Sequence, residues 1–412
     1  MTVLPRGIRG ARSEDVRREN LSTLLTYVHV HGPTPRSWLT STLSLNRSTI
    51  GDLTSELVGA GLVREETGKR QGRPVGGAPH AGGRPSHVVV PETQRVQALA
   101  VDIGVTHLTV ARVGLGGRVL ARRDITHGRG PRRTRDVVRS IGRVARELLA
   151  EMEPGARCAG AAAAVPGMVR MPDGLVRQVP NLGWVDVPLA EHLGKELGMP
   201  VEVGNDADLG VLAEHVRGAA VDIDDVVYLS GHSGIGAGVF TAGRPLAGHN
   251  GYAGEVGHAV VNPGGRECHC GSRGCWETES GEERLFEIAG RPPGGGLACV
   301  REIVAAAGSG DDIAAAAVTH VATWLGTGVA AVVNAFNPEA IIMGGALGEI
   351  FAAAGPTVRR SVEAAALAAP LEQLRLLQPA FGNDSPLIGA AELAFTPVLA
   401  DPLLAMSRLT AS

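Results

Sequence analysis

Three of the five cysteines in this 412-residue chain, Cys268, Cys270 and Cys275, fall within eight consecutive positions, and His258 stands just upstream. For those side chains to meet, the backbone must double back sharply. Gly264, Gly265, Gly271 and Gly274 supply the turns that allow it. Three thiolates and one imidazole complete a tetrahedral zinc shell with no position left for water, the composition of a structural site. A disulfide between Cys268 and Cys270 would close a very small loop and is disfavoured. His269 competes with His258 for the fourth position, and spacing alone does not choose between them. Cys158 and Cys299 sit among Ala and Val and read as ordinary buried thiols. Glu255 and Glu277 bracket the cluster, so a bound ion would hold two carboxylates in fixed relation, an arrangement suited to a ligand with many hydroxyls.

The chain is long enough for more than one domain, and its 44% hydrophobic content supports a large core. Aromatic residues make up only 3%, so that core is built from Ala, Val and Leu. No uninterrupted apolar run long enough to span a bilayer is evident, and the Arg-rich N-terminus lacks the apolar stretch of a leader peptide. The expectation is a soluble, cytoplasmic protein without membrane insertion. The net charge of −3 hides an asymmetry. Residues 1–95 carry 13 Arg and Lys against 8 Asp and Glu, whereas the remainder carries 26 against 34. A basic module on an acidic body fits a nucleic-acid reader joined to a sensor, and charge alone fits a solvated Arg-rich terminus equally well.

Patterning narrows that choice. Val16, Leu21, Leu24, Leu25 and Val28 recur at helical spacing from Glu14 to His31, and Gly32-Pro33 ends the helix. Thr34 is placed to cap a second short helix carrying Trp38 and Leu39. After a turn at Ser44 to Asn46, a third helix from Arg47 to Ala60 turns Ile50, Leu53, Leu57 and Val58 inward, with Gly61 as terminator. Its other face offers Arg47, Ser48, Thr49, Asp52 and Ser55, short hydrogen-bonding side chains plus one guanidinium suited to a guanine edge or a phosphate. Leu62-Val63-Arg64 and Val88-Val89-Val90 read as two strands of a hairpin. Three helices and a hairpin make a winged helix-turn-helix over residues 1–95, whose third helix enters a major groove. Arg36 joins the expected DNA contacts. The wing, about 66–87, is rich in Gly, Arg and Pro, and Gly-Arg-Pro recurs at 72–74 and 83–85. Arg73 and Arg84, each held extended by the following Pro, have the reach for a narrow minor groove.

From Ala98 a buried strand runs into Asp102 and a glycine turn, followed by a second strand, a Gly116-Gly117 hairpin turn and a third strand. A helix over Arg135 to Glu151 and a strand at Gly160–Val165 complete the unit, implying a mixed α/β sheet. Strand and glycine turn return at Val226 to Phe240, and again at Ala340 to Gly348. Two similar halves predict an actin-like, ribonuclease-H-like duplicated fold with a cleft between lobes.

The body from about 98 to 396 resembles the ROK family of repressors, open reading frames and sugar kinases. The resemblance is carried by Gly254-Glu-Val-Gly-His258, Cys268-x-Cys-Gly-x-x-Gly-Cys-x-Glu277, Pro180-Asn-Leu-x-Trp184, Asn205-Asp206-Ala, Met343-Gly-Gly and Gly389-Ala-Ala. With the helix-turn-helix attached, the chain is similar to ROK transcriptional regulators of the xylose-repressor type. The resemblance implies a ROK domain over 96–412. Its smaller lobe covers about 96–205 with a returning C-terminal helix at about 388–412, and its larger zinc lobe covers about 206–387. It implies a sugar shell of Asn181, Asn205, Asp206, Glu255, His258 and Glu277, with structural Zn2+ on His258, Cys268, Cys270 and Cys275. Asp206 would be the general base on the accepting hydroxyl if any phosphoryl is transferred. The implied partners are operator DNA, a sugar or sugar-phosphate effector, and further copies of the chain in a homodimer or homotetramer.

The nucleotide side departs from the kinases of this family. Their first phosphate loop reads Asp-x-Gly-Gly-Thr-Lys, and this chain has Asp102-Ile-Gly104-Val-Thr106-His107. Val105 adds a branched side chain where glycine lets phosphate approach, and His107 replaces a permanent cation. In the second loop, Gly231-His-Ser233-Gly234 stands for a Gly-Thr-Gly, with His232 intruding. Gly344-Gly345 on the adenosine side persists. These loops read as vestigial and argue against ATP and Mg2+ as cofactors. The expectation is a sugar-responsive regulator, a repressor in the first instance; the alternative is an ATP-dependent hexose kinase with an added DNA-binding module.

Overall fold

A computed structural model describes residues 13–67, 87–232 and 234–411. The N-terminal unit contains α1 (Ser13–His31), β1 (Thr34–Pro35), α2 (Arg36–Thr42), α3 (Arg47–Gly59), β2 (Val63–Thr67) and β3 (His87–Pro91). Asn46 caps α3 by accepting from the Thr49 amide at 2.8 Å. Thr34 is not a cap. It pairs with Val89 across the sheet, and α2 begins after Pro35 without a side-chain cap. Val16 and Val58, which periodicity turned inward, are exposed at 45% and 41%. The inward stripe is instead Leu21, Leu24, Leu25 and Val28 on α1 with Ile50, Leu53 and Leu57 on α3.

The smaller lobe begins with β4 (Val96–Ile103), β5 (His107–Gly114) and β6 (Arg118–Thr126), continues through α4 (Thr134–Ala150), and adds β7 (Arg157–Val165). A small antiparallel sheet of β8 (Met168–Arg170), β9 (Leu175–Val179) and β10 (Trp184–Pro188) follows. Next come α5 (Leu189–Leu197), β11 (Val201–Asn205) and α6 (Asp206–Arg217). The larger lobe holds β12 (Val226–Ser230), β13 (Gly236–Thr241), β14 (Arg244–Pro245), α7 (Trp276–Ser280), α8 (Glu282–Ile288), α9 (Gly296–Gly308) and α10 (Asp312–Phe336). It closes with β15 (Ala340–Met343), α11 (Gly345–Ala365), α12 (Ala368–Leu371) and β16 (Arg375–Leu377), before α13 (Ser385–Ala400) and α14 (Pro402–Ala411).

The main sheets of the two lobes share one topology. Their strand orders are β6-β5-β4-β7-β11 and β14-β13-β12-β15-β16. In each, the first three strands are antiparallel neighbours and the last two run parallel to the middle strand. That repetition is the duplication expected from the glycine turns.

The chain crosses between lobes through α6, and α13 packs on α6, β4 and β7. Approach there is close: a β-carbon on Gly389 of α13 would lie 1.8 Å from the Leu209 carbonyl oxygen of α6. One apolar cluster joins α1 and α3 to β4, β5, α13 and Met406 of α14. The N-terminal unit therefore does not hang from a linker; it shares a core with the smaller lobe. α10 is long and apolar enough to cross a membrane, although no uninterrupted apolar run marks it in the sequence. Here it is the central helix of the larger lobe, with Val321, Leu325 and Val329 fully buried against α11 and α9.

Candidate functional site

The cysteine segment folds back through two isolated bridges, Val260 with Cys275 and Glu267 with Arg273. Gly274 has no alternative, since a β-carbon there would lie 1.7 Å from the Asn262 carbonyl oxygen at a φ of +73°. The fold brings one donor atom each from His258, Cys268, Cys270 and Cys275 within 4.8 Å of one another. Cys270 and Cys275 sulfurs are 3.6 Å apart, and His258 Nδ1 is 3.6 Å from the Cys268 sulfur. Those separations match the edge of a zinc tetrahedron, about 3.8 Å for Zn–S bonds of about 2.3 Å. They are too long for a disulfide. His269 belongs to a second grouping with His258 and Glu277. Cys158 and Cys299 are half-buried rather than buried.

His258 connects this centre to the carboxylates. Its Nε2 is 3.9 Å from Glu255, while Glu277 lies 3.4 Å from Nδ1 and accepts from the Cys268 thiol at 3.0 Å. A cation on Nδ1 would leave Nε2 as a fixed N–H donor on the Glu255 side. Glu277 also meets the second glycine loop, where a β-carbon on Gly234 would be 2.6 Å from its Oε2.

A cleft between the lobes is lined by Gly167, Met168, Val169, Asn205, Asp208, Gly236, Ala237 and Glu255, among others. Asn205 is committed within the protein. Its Oδ1 caps α6 through the amides of Ala207 and Asp208, and its Nδ2 donates to the Gly167 carbonyl at 2.9 Å. Asp206, the first residue of α6, accepts from Ser230 at 2.9 Å, and His232 Nδ1 stands 3.9 Å from the same carboxylate. Burial raises the Asp206 and Glu255 carboxyls above their ordinary range. Asn181 occupies the short turn Pro180–Leu182 and is half-buried; it does not line that cleft with Asn205 and Glu255.

Asp208 escaped the sequence reading. Within the first turn of α6, it faces the cleft, and its carboxyl is pushed up to about 7 by burial, with the charges of Asp206 and Glu255 adding to the effect. The available signal was its spacing, two residues after Asp206 at a helix start, which also fits a plain helix-dipole partner. Arg129 was also missed. It leaves the smaller lobe to pair with Glu282 and Glu283 on α8 of the larger one.

At the first glycine turn, Val105 is 7% exposed and turned into the protein. His107 is the side chain that lies over the turn: its ring would be 2.1 Å from a β-carbon on Gly104, and its Nε2 is 2.8 Å from Asp102. The Asp102 hydrogen bond raises the His107 pKa above its ordinary value, against the opposing effect of burial. Thr106 gives its carbonyl to the His127 amide at 2.9 Å. On the other lobe, the Ala346 amide donates to the Gly231 carbonyl at 2.9 Å, zipping the second loop to the Gly344-Gly345 turn. Ser233 lies outside the described residues.

On α3, Arg47, Ser48, Asp52 and Ser55 are exposed and Thr49 is half-buried. Ser48 donates to Asn46 at 2.7 Å, so it supports the cap. Arg36 is engaged by Glu65 of β2 at 2.5 Å and is not a free cation. Arg73 and Arg84 lie outside the described residues.

Two lobes of duplicated topology around a polar cleft, preceded by three helices and a three-stranded sheet, define an actin-like sugar-kinase fold with a winged helix-turn-helix. The ROK family model matches residues 98–396, and the chain belongs to that family. A putative xylose repressor of Caldicellulosiruptor sp. is 26% identical, covering 94% of this chain and 98% of its own. A crystal structure of a ROK family transcriptional regulator, a homologue of the E. coli MLC protein, superposes with a TM-score of 0.76 at 28% identity, covering 95% of this chain and 99% of that one. A ROK family glucokinase from Streptomyces griseus, solved with glucose and AMPPNP, gives 0.62 at 27% identity and covers 73% of this chain against 99% of its own. The two regulators therefore match nearly the whole chain, and the glucokinase about three quarters of it.

Proposed function

We propose that this chain is a sugar-responsive transcriptional repressor that senses its ligand without phosphorylating it. What supports the reading is a cleft lined by Asn205, Asp208 and Glu255, with His258 placed between Glu255 and Glu277, beside a glycine turn in which the His107 ring, bonded to Asp102, covers Gly104. Carboxylates accept from vicinal hydroxyls, and a His held by a cation on one nitrogen donates from the other. Zn2+ on His258, Cys268, Cys270 and Cys275 would neutralise thiolates and fix Glu255 relative to Glu277 at the start of α7. ATP and Mg2+ have no role in this reading.

The N-terminal unit, residues 1–95, would insert α3 into a major groove, with Arg47, Ser48, Thr49, Asp52 and Ser55 at or near the bases. Pairing of half-sites implies a homodimer or tetramer on a palindromic operator, working in the cytoplasm. A sugar or sugar phosphate that prefers the closed cleft would release DNA by shifting that equilibrium.

Footprinting on genomic DNA with and without a sugar panel tests the reading, with protection expected that one panel member removes. The kinase alternative rests on the intact Asp206. A coupled assay with ATP and the same sugars separates the two, and turnover abolished by Asp206→Asn would establish the enzyme instead.

A further inference from the structure

α6 begins in the cleft and ends against the N-terminal unit. Asn205 caps it and Asp206 and Asp208 occupy its first turn; Arg217 is its last residue, about 18 Å away along the axis. The Arg217 guanidinium donates to the carbonyls of Val30 on α1 and Gly116 in the β5–β6 turn, both at 3.3 Å. Its Nε donates to Glu392 of α13 at 2.5 Å. The other Glu392 oxygen is 2.9 Å from His29 Nε2 on α1, and the Gly116 amide donates to His29 Nδ1 at 2.9 Å. With Nδ1 accepting, the proton of a neutral imidazole must sit on Nε2 and point at Glu392. His29 and Glu392 are both buried, and His29 also packs edge-on against Phe395.

The C-terminal half of α6 is equally fixed. Glu214 is fully buried and accepts from the Ala219 and Ala380 amides at 2.8 and 3.0 Å and from Ser385 at 2.7 Å. With the tight approach at Gly389, these bonds make α6 and α13 one body. Movement of the cleft end therefore has to move the Arg217 end. A hydrophobic contact would let α1 slide, whereas a buried network of charged, directional bonds has few arrangements that satisfy every member.

We infer that Arg217, Glu392 and His29 form the joint through which cleft occupancy is conveyed to the DNA-binding helices, with Arg217 and Glu392 as positioning residues. The inference rests on the proposed regulator function and assigns the contact that couples its two sites.

The test uses the full chain, a duplex obtained by in vitro selection with the wild-type protein, and D-glucose, D-xylose, N-acetyl-D-glucosamine and their phosphate esters as probes. Fluorescence anisotropy reads duplex affinity with and without each probe, and calorimetry reads probe affinity. Glu392→Gln is expected to keep duplex and probe affinities within about threefold of wild type. The factor by which the active probe weakens duplex binding should fall below about twofold. Glu392→Asp, which keeps the charge, should retain part of that factor. If Glu392→Gln does not fold, Arg217→Gln carries the same expectation. An unchanged release factor in a folded variant overturns the joint and leaves the regulator reading intact. A wild-type protein whose duplex affinity no probe alters overturns the regulator reading and the joint with it.

Discussion

The His107 ring takes the space over Gly104 and is tied by its Nε2, 2.8 Å away, to Asp102. The pair has a pH signature. Because Asp102 raises the His107 pKa above its unfolded value, the stability it contributes is present at low pH and is lost as pH rises through the folded pKa. The His107 side chain is 39% exposed, so the scale is that of a surface pair. We expect His107→Ala to cost about 0.5–1 kcal/mol at pH 6 and less at pH 9. Urea melts at the two pH values read this directly, and an equal cost at both would remove the ion pair from the account.

Metal removal should affect the cleft as well as the fold. Cys270→Ser takes one donor from the group of four and frees the segment that sets Glu255 against Glu277 at the start of α7. We expect a zinc content near one per chain in wild type, lost in the variant, with a lower Tm and no sugar response. Sugar binding that survives Cys270→Ser unchanged contradicts the role given to the metal.

Much of this architecture was legible in the sequence. Period and glycine placement gave the helix-turn-helix, both hairpins and the cysteine cluster, because those features depend on local spacing; the choice of His258 over His269 beside the three cysteines came from the fold. What spacing could not supply was direction. Val105 and His107 are two positions apart in one loop, and only the packed structure turns the first inward and folds the second over Gly104. Asp208 was invisible for a related reason, since its raised pKa comes first from its burial in the folded protein, to which Asp206 and the distant Glu255 add. The fusion of α1 to α13 likewise depends on contacts between the two ends of the chain.

Asp208 should make the free protein less stable as pH rises. Its folded pKa, pushed up to about 7, exceeds the unfolded value, so stability falls between the two as the buried carboxyl is forced to ionise. We expect Asp208→Asn to gain stability progressively from pH 5 to pH 8, reaching about 2 kcal/mol once water access to the cleft is allowed for. Thermal melts across that range test it, and a gain that does not grow with pH rules out the titration.

The two arginines of the helix-turn-helix should behave differently. Arg47 is exposed at the start of α3, whereas Arg36 is held by Glu65. We expect Arg47→Ala to weaken binding to a selected duplex by about 1–3 kcal/mol. Arg36→Ala should act mainly by lowering the Tm of the unit. Anisotropy and melting of both variants separate the roles, and the reverse ranking would move the DNA contact onto α2.

The central claim is that a sugar occupying the cleft changes the affinity of the same chain for DNA without being phosphorylated. Its most direct measurement is the duplex Kd of the full-length protein, with and without each sugar, in buffer free of ATP. The account predicts that one sugar or sugar phosphate raises that Kd by about 5- to 150-fold. A Kd unmoved by every sugar, in a protein that converts ATP and sugar to ADP and sugar phosphate, would contradict it.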